Sequence, residues 1–105
     1  METILGKLVK IQHSPNIKDS EVYGQLQMES NGFVVDFVIE PDSGITDFFK
    51  KTEVGDYYVM IGEVAEMDPE LWETFERGYP WNRPEDILFV KEFYDARDVQ
   101  EMFLF

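Results

Sequence analysis

Val22, Gly24, Leu26 and Met28 alternate with Tyr23, Gln25 and Gln27 at period two, so residues 22–28 predict a strand with one buried and one wetter face. The run from Phe33 to Ile39 predicts a second strand, and Glu29-Ser30-Asn31-Gly32 separates the two. Asn31-Gly32 tolerates the positive φ angles of a type I′ turn, which makes the pair a β-hairpin. Upstream, Ile4, Leu5, Leu8, Val9 and Ile11 predict a strand over 2–13, with Gly6 as a candidate bulge. The stretch from His13 to Ser20 is rich in Pro, Asn, Asp and Ser and reads as loop.

Pro41-Asp42-Ser43-Gly44 breaks the sheet pattern, after which Ile45, Phe48 and Phe49 fall at i, i+3 and i+4. That spacing predicts a short helix over 45–52 with Ser43 or Gly44 near its cap. Glu53 to Asp56 reads as a turn into a strand over 57–65, whose first half is apolar on both faces, as a central strand would be. Asp68 as N-cap, Pro69 at the first helical position and Glu70 in the first turn predict a second helix. It should run to Arg77 and stop at Gly78 in the left-handed cap conformation, with Pro80 barring its resumption. Ile87 to Val90, with Phe93 and Tyr94, predict another strand. From Asp95 onward two readings compete. Asp95 to Asp98 could turn the chain into a last strand over 99–105, which the closing Phe103-Leu104-Phe105 favours. Alternatively, Asp95 could cap a helix burying Val99, Met102 and Phe103.

The intervening helices are too short for parallel βαβ crossovers. The order predicts an α+β domain that is mainly antiparallel β, a small curled sheet or OB-like barrel with two short helices. Three strands, a helix and two more strands is also the element order of an OB-type Greek-key barrel. With 105 residues, the chain reads as a single domain, since two cores would each be too small to offset chain entropy. Hydrophobic residues make up 44% of it, enough for a real core.

Composition narrows the chemistry. The absence of cysteine excludes a disulfide framework, a thiolate metal site and a cysteine nucleophile. No apolar run approaches the roughly 20 residues of a membrane span, and the first ten residues lack a signal-peptide pattern, so a cytoplasmic location is expected. The four serines lie outside any G-x-S-x-G setting. The single histidine, His13, adjoins Ser14 on an extended chain that points neighbouring side chains apart. Pro41 to Asp47 holds only a fragment of a calcium loop, and Asp95 to Asp98 places Arg97 among the ligands it would need. No glycine-rich phosphate loop occurs. Catalytic, cofactor and metal sites are therefore not expected, and neither is enzymatic activity.

Charge is what remains. Twenty-two acids against nine Lys and Arg leave a formal charge of −13, beyond the magnitudes of about 2–8 that serve solubility alone. Residues 53–105 hold fourteen acids and only Arg77, Arg83, Lys91 and Arg97. Such a surface repels double-stranded nucleic acid and anionic membranes and attracts basic proteins. The acids concentrate in residues 66–86 together with both tryptophans. On the predicted helix Leu71 and Phe75 should dock on the sheet, Glu70, Glu73 and Glu76 should face water, and Trp72 should sit at the edge. Trp81 lies on a loop stiffened by Pro80 and Pro84. These rings either lid the barrel or, as rigid aromatics do at interfaces, anchor a partner.

The leading expectation is a non-enzymatic acidic protein that neutralises a basic partner, in the manner of immunity proteins, antitoxins or nucleic-acid-mimicking inhibitors. Its candidate partner surface comprises Glu70, Trp72, Glu73, Glu76, Tyr79, Trp81, Glu85 and Asp86. A second expectation is an OB-like face for small ligands or single-stranded nucleic acid, using Tyr23, Phe33, Phe37 and Tyr57 beside Lys7, Lys10, Lys18, Lys50 and Lys51. A third is a structural subunit whose C-terminal Phe103-Leu104-Phe105 pairs with another chain.

Overall fold

The computed structural model of the protein describes residues 1–13, 22–40, 52–76 and 78–98. The loop expected over 13–20, apart from His13, which closes the first strand, all but Thr52 of the helix expected over 45–52, and everything after residue 98 lie outside the described residues. Five strands form one closed barrel: β1 (Glu2–His13), β2 (Val22–Met28), β3 (Val34–Ile39), β4 (Tyr57–Glu66) and β5 (Asp86–Asp95), in the order β1-β2-β3-β5-β4. The helix α1 (Pro69–Phe75) lies in the connection between β4 and β5, and residues 96–98 are helical after β5. This is a small OB-like α+β barrel. Every pairing is antiparallel except β3 with β5, which run parallel and meet at only two register pairs, Phe37 with Leu88 and Val38 with Phe89.

Period-two alternation sends Val22, Leu26, Phe37, Ile39, Met60 and Leu88 into the barrel, where all are fully buried. Two bulges extend that interior set. Leu8 and Ile11 are three residues apart, so a regular strand would point them to opposite faces. The register slips between Leu8 and Lys10, so both reach the core. The same holds on β5, where the slip opposite Ile61 and Gly62 makes Lys91 the extra residue and turns both Val90 and Phe93 inward. Phe93 stacks on Tyr58 at 5.0 Å, and the Tyr58 hydroxyl accepts a hydrogen bond from Glu53 N at 3.0 Å at the barrel mouth.

Several local expectations are corrected. The bulge on β1 is at Val9, not Gly6. Gly6 pairs regularly with both Met28 and Tyr58, and a side chain there would run into the Gln27 carbonyl. The β2–β3 hairpin forms, but not through a type I′ turn, because Asn31 keeps a negative φ. Gly32 alone is left-handed (φ 76°), its N–H bonds to Met28 O, and the Asn31 carboxamide accepts from Phe33 N. Gly78 does not adopt the left-handed cap. Glu76 caps α1, and the N–H groups of Gly78 and Tyr79 both reach Phe75 O at 2.9 Å. Residues 96–98 turn helical and the Asp95 carboxylate accepts from Arg97 N, so the alternative reading, not the favoured hairpin turn, describes the start of the tail. Among the described residues no helix is long and apolar enough to cross a membrane.

Gly62 tests the bulged β4–β5 contact. A methyl group there would overlap the Phe89 carbonyl, which is backbone and has little freedom to yield. Gly62→Ala is therefore expected to lower stability by about 1–3 kcal/mol in urea unfolding.

Candidate interaction surface

The connection between β4 and β5 folds back as a lid over the outer wall of β2, β3 and β5. Its neck is tied twice. Met67 N donates to Glu85 O at 2.8 Å, and the Arg83 guanidinium donates through Nε and Nη2 to Met67 O at 3.2 and 2.6 Å. Asp68 then starts α1 as its sequence position predicts: extended backbone, Oδ1 accepting from Leu71 N at 2.9 Å, and Pro69 in the first turn. Phe75 is buried against the wall and Leu71 is half-buried beside it, while Glu70, Glu73 and Glu76 face solvent. Pro80 and the two N–H bonds to Phe75 O end the helix, and the chain drops Tyr79 onto the sheet.

Tyr79 is the hub of the lid. Its ring meets Tyr23 at 5.2 Å, Trp72 at 5.7 Å and Trp81 at 5.8 Å, each close to edge-on, an arrangement favoured by the ring quadrupoles. Its hydroxyl donates to Asp36 Oδ1 at 2.5 Å, and the same oxygen accepts from Gln25 Nε2 at 2.9 Å. Burial first, and the hydrogen bond to Asp36 second, push the Tyr79 phenol far above its ordinary value of 10.0. Phe75 adds an edge-on contact with Tyr23 and a tilted one with Phe89. On the far side the Lys10 ammonium sits 5.6 Å from the Trp81 ring centroid, a cation–π contact that ties the lid to β1.

The predicted surface residues thus divide. Trp72 and Trp81 are half-buried and join Tyr79 in one ring cluster, while Tyr79 itself is only 7% exposed and lies beneath the surface it was expected to form. The rings cover the side wall of the barrel and not its end. Glu70, Glu73 and Glu76 line the helix, and exposed Glu85 and Asp86 sit at the neck. There Glu66, Asp68, Arg83, Glu85 and Asp86 surround an open depression of about 620 Å³. Among the described residues no lid carboxylate lies within ion-pair distance of a Lys or Arg; the pair that does form, Asp95 with Arg97 at 2.8 Å, is outside the lid. Asp95 is thereby held below its ordinary value, mainly by the guanidinium hydrogen bond. Among the described residues no three acidic or His side chains gather as a metal ion would need.

The four rings of the second expectation do not share a face. Tyr23 lies under the lid and Phe37 inside the barrel, while Phe33 (71% exposed) and Tyr57 (43%) are open. Lys7 and Lys10 border the lidded wall from β1, paired with Gln27 and Gln25; Lys18, Lys50 and Lys51 lie outside the described residues. Sequence reasoning overlooked Asp36, Gln25 and Arg83. The available signal for Asp36 was its place as the one acid inside the otherwise apolar run 33–39.

Tyr79→Phe isolates the latch. Losing a hydrogen bond to a carboxylate is expected to cost about 1.5–3 kcal/mol at neutral pH. With a folded-state value above the unfolded one, the phenol stabilises the fold fully below about pH 10 and progressively less as pH rises beyond it. Urea unfolding across the alkaline range should show that decline in the native chain and a shallower one in Tyr79→Phe.

No protein-family model matches the chain, and no curated protein matches it.

Proposed function

We propose that this protein is a non-enzymatic acidic binding module, cytoplasmic, whose lid enters the cationic cleft of a basic protein. The supporting observation is the state of the lid's carboxylates. Among the described residues Glu70, Glu73, Glu76, Glu85 and Asp86 are exposed and without a cationic partner, and they stand on a segment clamped to the barrel. Carboxylates fixed on a rigid scaffold need little reordering on binding, which lowers the entropic cost of association. Half-exposed Trp72 and Trp81 offer apolar anchors among them, the combination found at interface hot spots.

The partner class follows from that chemistry: a toxin nuclease or a nucleic-acid-processing enzyme, whose phosphate-binding Lys and Arg would accept carboxylates in place of phosphates. Such attraction speeds encounter and weakens with salt. Titrating the protein against a panel of cationic nucleases and DNA-processing enzymes should yield a complex whose affinity falls steeply between about 0.05 and 0.5 M salt. Reversing Glu70, Glu73 and Glu76 to Lys together should weaken that complex by about 100-fold or more, since like-charge juxtaposition costs several kcal/mol. Affinity that ignores salt, or that survives the reversal, would rule the reading out.

A further inference from the structure

We propose that the open edge of β3 at Val34 to Asp36 accepts an extended segment of a cationic protein as an added β-strand, one that alternates apolar and basic side chains. The proposal goes beyond the reading above, which uses the outer face of α1. The two share Glu85 and Asp86, and either can fail alone. In an antiparallel ladder, successive residues turn their backbone groups to opposite neighbours. Met28 N bonds Phe33 O, so β2 turns its even-numbered residues toward β3, and Val35 and Phe37 answer Leu26 and Gly24. Val34 and Asp36 therefore direct their backbone groups away from β2, toward the side that β5 occupies. β5 pairs there only from Phe37 with Leu88 onward. Carrying that parallel register back two residues sets Asp86 beside Val35, yet no pair forms at that level. The connection between β4 and β5 does not fill the gap with a backbone bond of its own. The Val34 N–H and C=O and the Asp36 N–H are thus without a strand partner among the described residues.

An open edge is a template for another strand, and proteins commonly blunt one with Lys, Pro or a bulge. β3 carries none of these before Phe37, and its one charged side chain there, Asp36, is turned to Tyr79 and Gln25. Phe33 and Val34 are instead 71% and 50% exposed. Val35 and Met28, which pack against the interior core, are only half-buried. An added strand alternates its side chains as β3 does, so apolar ones would cover Val35 and Met28 while the others lie beside Val34. The neck sets the sign of those others. Glu85 and Asp86 are exposed where β5 starts, and Glu66 faces Asp86 across the ladder. Among the described residues none of these three lies within ion-pair distance of a Lys or Arg. A second copy of this chain would bring the same acids to the edge and be repelled, whereas a strand bearing Lys or Arg is drawn in. Strand addition takes its affinity from main-chain bonds and its specificity from alternate side chains, and both are on offer here.

The test uses the full chain and a fluorescein-labelled octapeptide of alternating Lys and Val, followed by anisotropy at low salt. The fully N-methylated peptide keeps the charge but has no backbone donors, and should bind about tenfold or more weakly. Val34→Pro is the matching change in the protein. It removes an N–H that no bond to β2 uses, as Pro on an edge strand does, and should weaken the unmodified peptide about tenfold or more. Reversing Glu85 and Asp86 to Lys should also weaken it about tenfold and flatten its salt dependence. In the native chain, saturating peptide should slow deuterium exchange at the Val34 and Asp36 amides by at least about tenfold. Equal affinity for the methylated peptide, or unchanged exchange at both amides, overturns the proposal, since the attraction is then one of charge alone. A native dimer in sedimentation that Val34→Pro dissociates also overturns it, by assigning the edge to a second copy. Should Val34→Pro unfold, the methylated peptide and the native-chain exchange decide: weaker binding with slowed exchange supports the added strand, and either one unchanged refutes it.

Discussion

The parallel contact between β3 and β5 is the constraint around which the molecule is organised. A barrel of five strands closes only if those two meet, and here they share two register pairs. The neighbouring β4–β5 ladder runs from Tyr58 with Asp95 to Glu66 with Asp86. A seam so short contributes few backbone hydrogen bonds, and something else must hold it. The lid does so from outside. Tyr79 bonds Asp36 on β3, Phe75 meets Phe89 on β5, and both rings pack on Tyr23 of β2. Each buried aromatic or large aliphatic side chain contributes roughly 1.5–3 kcal/mol, so the cluster outweighs any single hydrogen bond of the seam. The lid is consequently a second core layered on the first, and it covers the outward-facing Tyr23, Val38, Ile87 and Phe89 of the three strands beneath it.

That two-layer arrangement explains why Tyr79 is a core residue while its neighbours are not. Its ring meets Tyr23, Trp72 and Trp81 together, and its hydroxyl finds a charged acceptor under the rings. A buried phenol without a partner would cost about 1–3 kcal/mol, so the position demands a polar group on β3 at that register. Asp36 supplies it, steadied by Gln25, its cross-strand neighbour. An acid in the middle of an apolar strand thus has a structural purpose that needs neither metal nor catalysis.

Much of this was readable along the chain, and the failures have definite causes. The β2–β3 hairpin, the strand at 57–65, the start of α1 and the inward face of Phe75 follow from period two, capping chemistry and i, i+4 spacing, all of which act within a few residues. Gly6 was misjudged as a bulge because glycine serves both bulges and close backbone approach. The better clue was the three-residue spacing of Leu8 and Ile11, as of Val90 and Phe93, which a strand accommodates only by inserting a residue. Gly78 was misjudged because Pro80 and the buried Tyr79 end the helix by tertiary packing, leaving no need for a left-handed cap. The seam itself was beyond reach. Which strands meet in a closed barrel depends on residues some fifty positions apart, Phe37 and Leu88 among them, and no local pattern encodes that pairing.

The lid also separates the acids that folding needs from those it does not. Asp36 latches Tyr79, Asp68 caps α1 and Asp95 binds Arg97, so each of these carboxylates has a folded-state partner. Glu66 and Asp86 do the opposite. They face each other at the end of the β4–β5 ladder, with Glu85 adjoining, and like charges directly opposed on a sheet destabilise it by about 0.2–1 kcal/mol. The one described arginine beside them, Arg83, has its guanidinium committed to the Met67 carbonyl. A lysine at position 66 or 86 would relieve the repulsion without disturbing any buried contact, because both side chains are exposed. Stability therefore argues against the charge pattern that the neck carries. Solubility does not require it either, since the rest of the chain is already acidic. A pattern that folding opposes and solubility does not need supports the proposed reading, in which the opposed carboxylates would find their counter-charges on a second molecule.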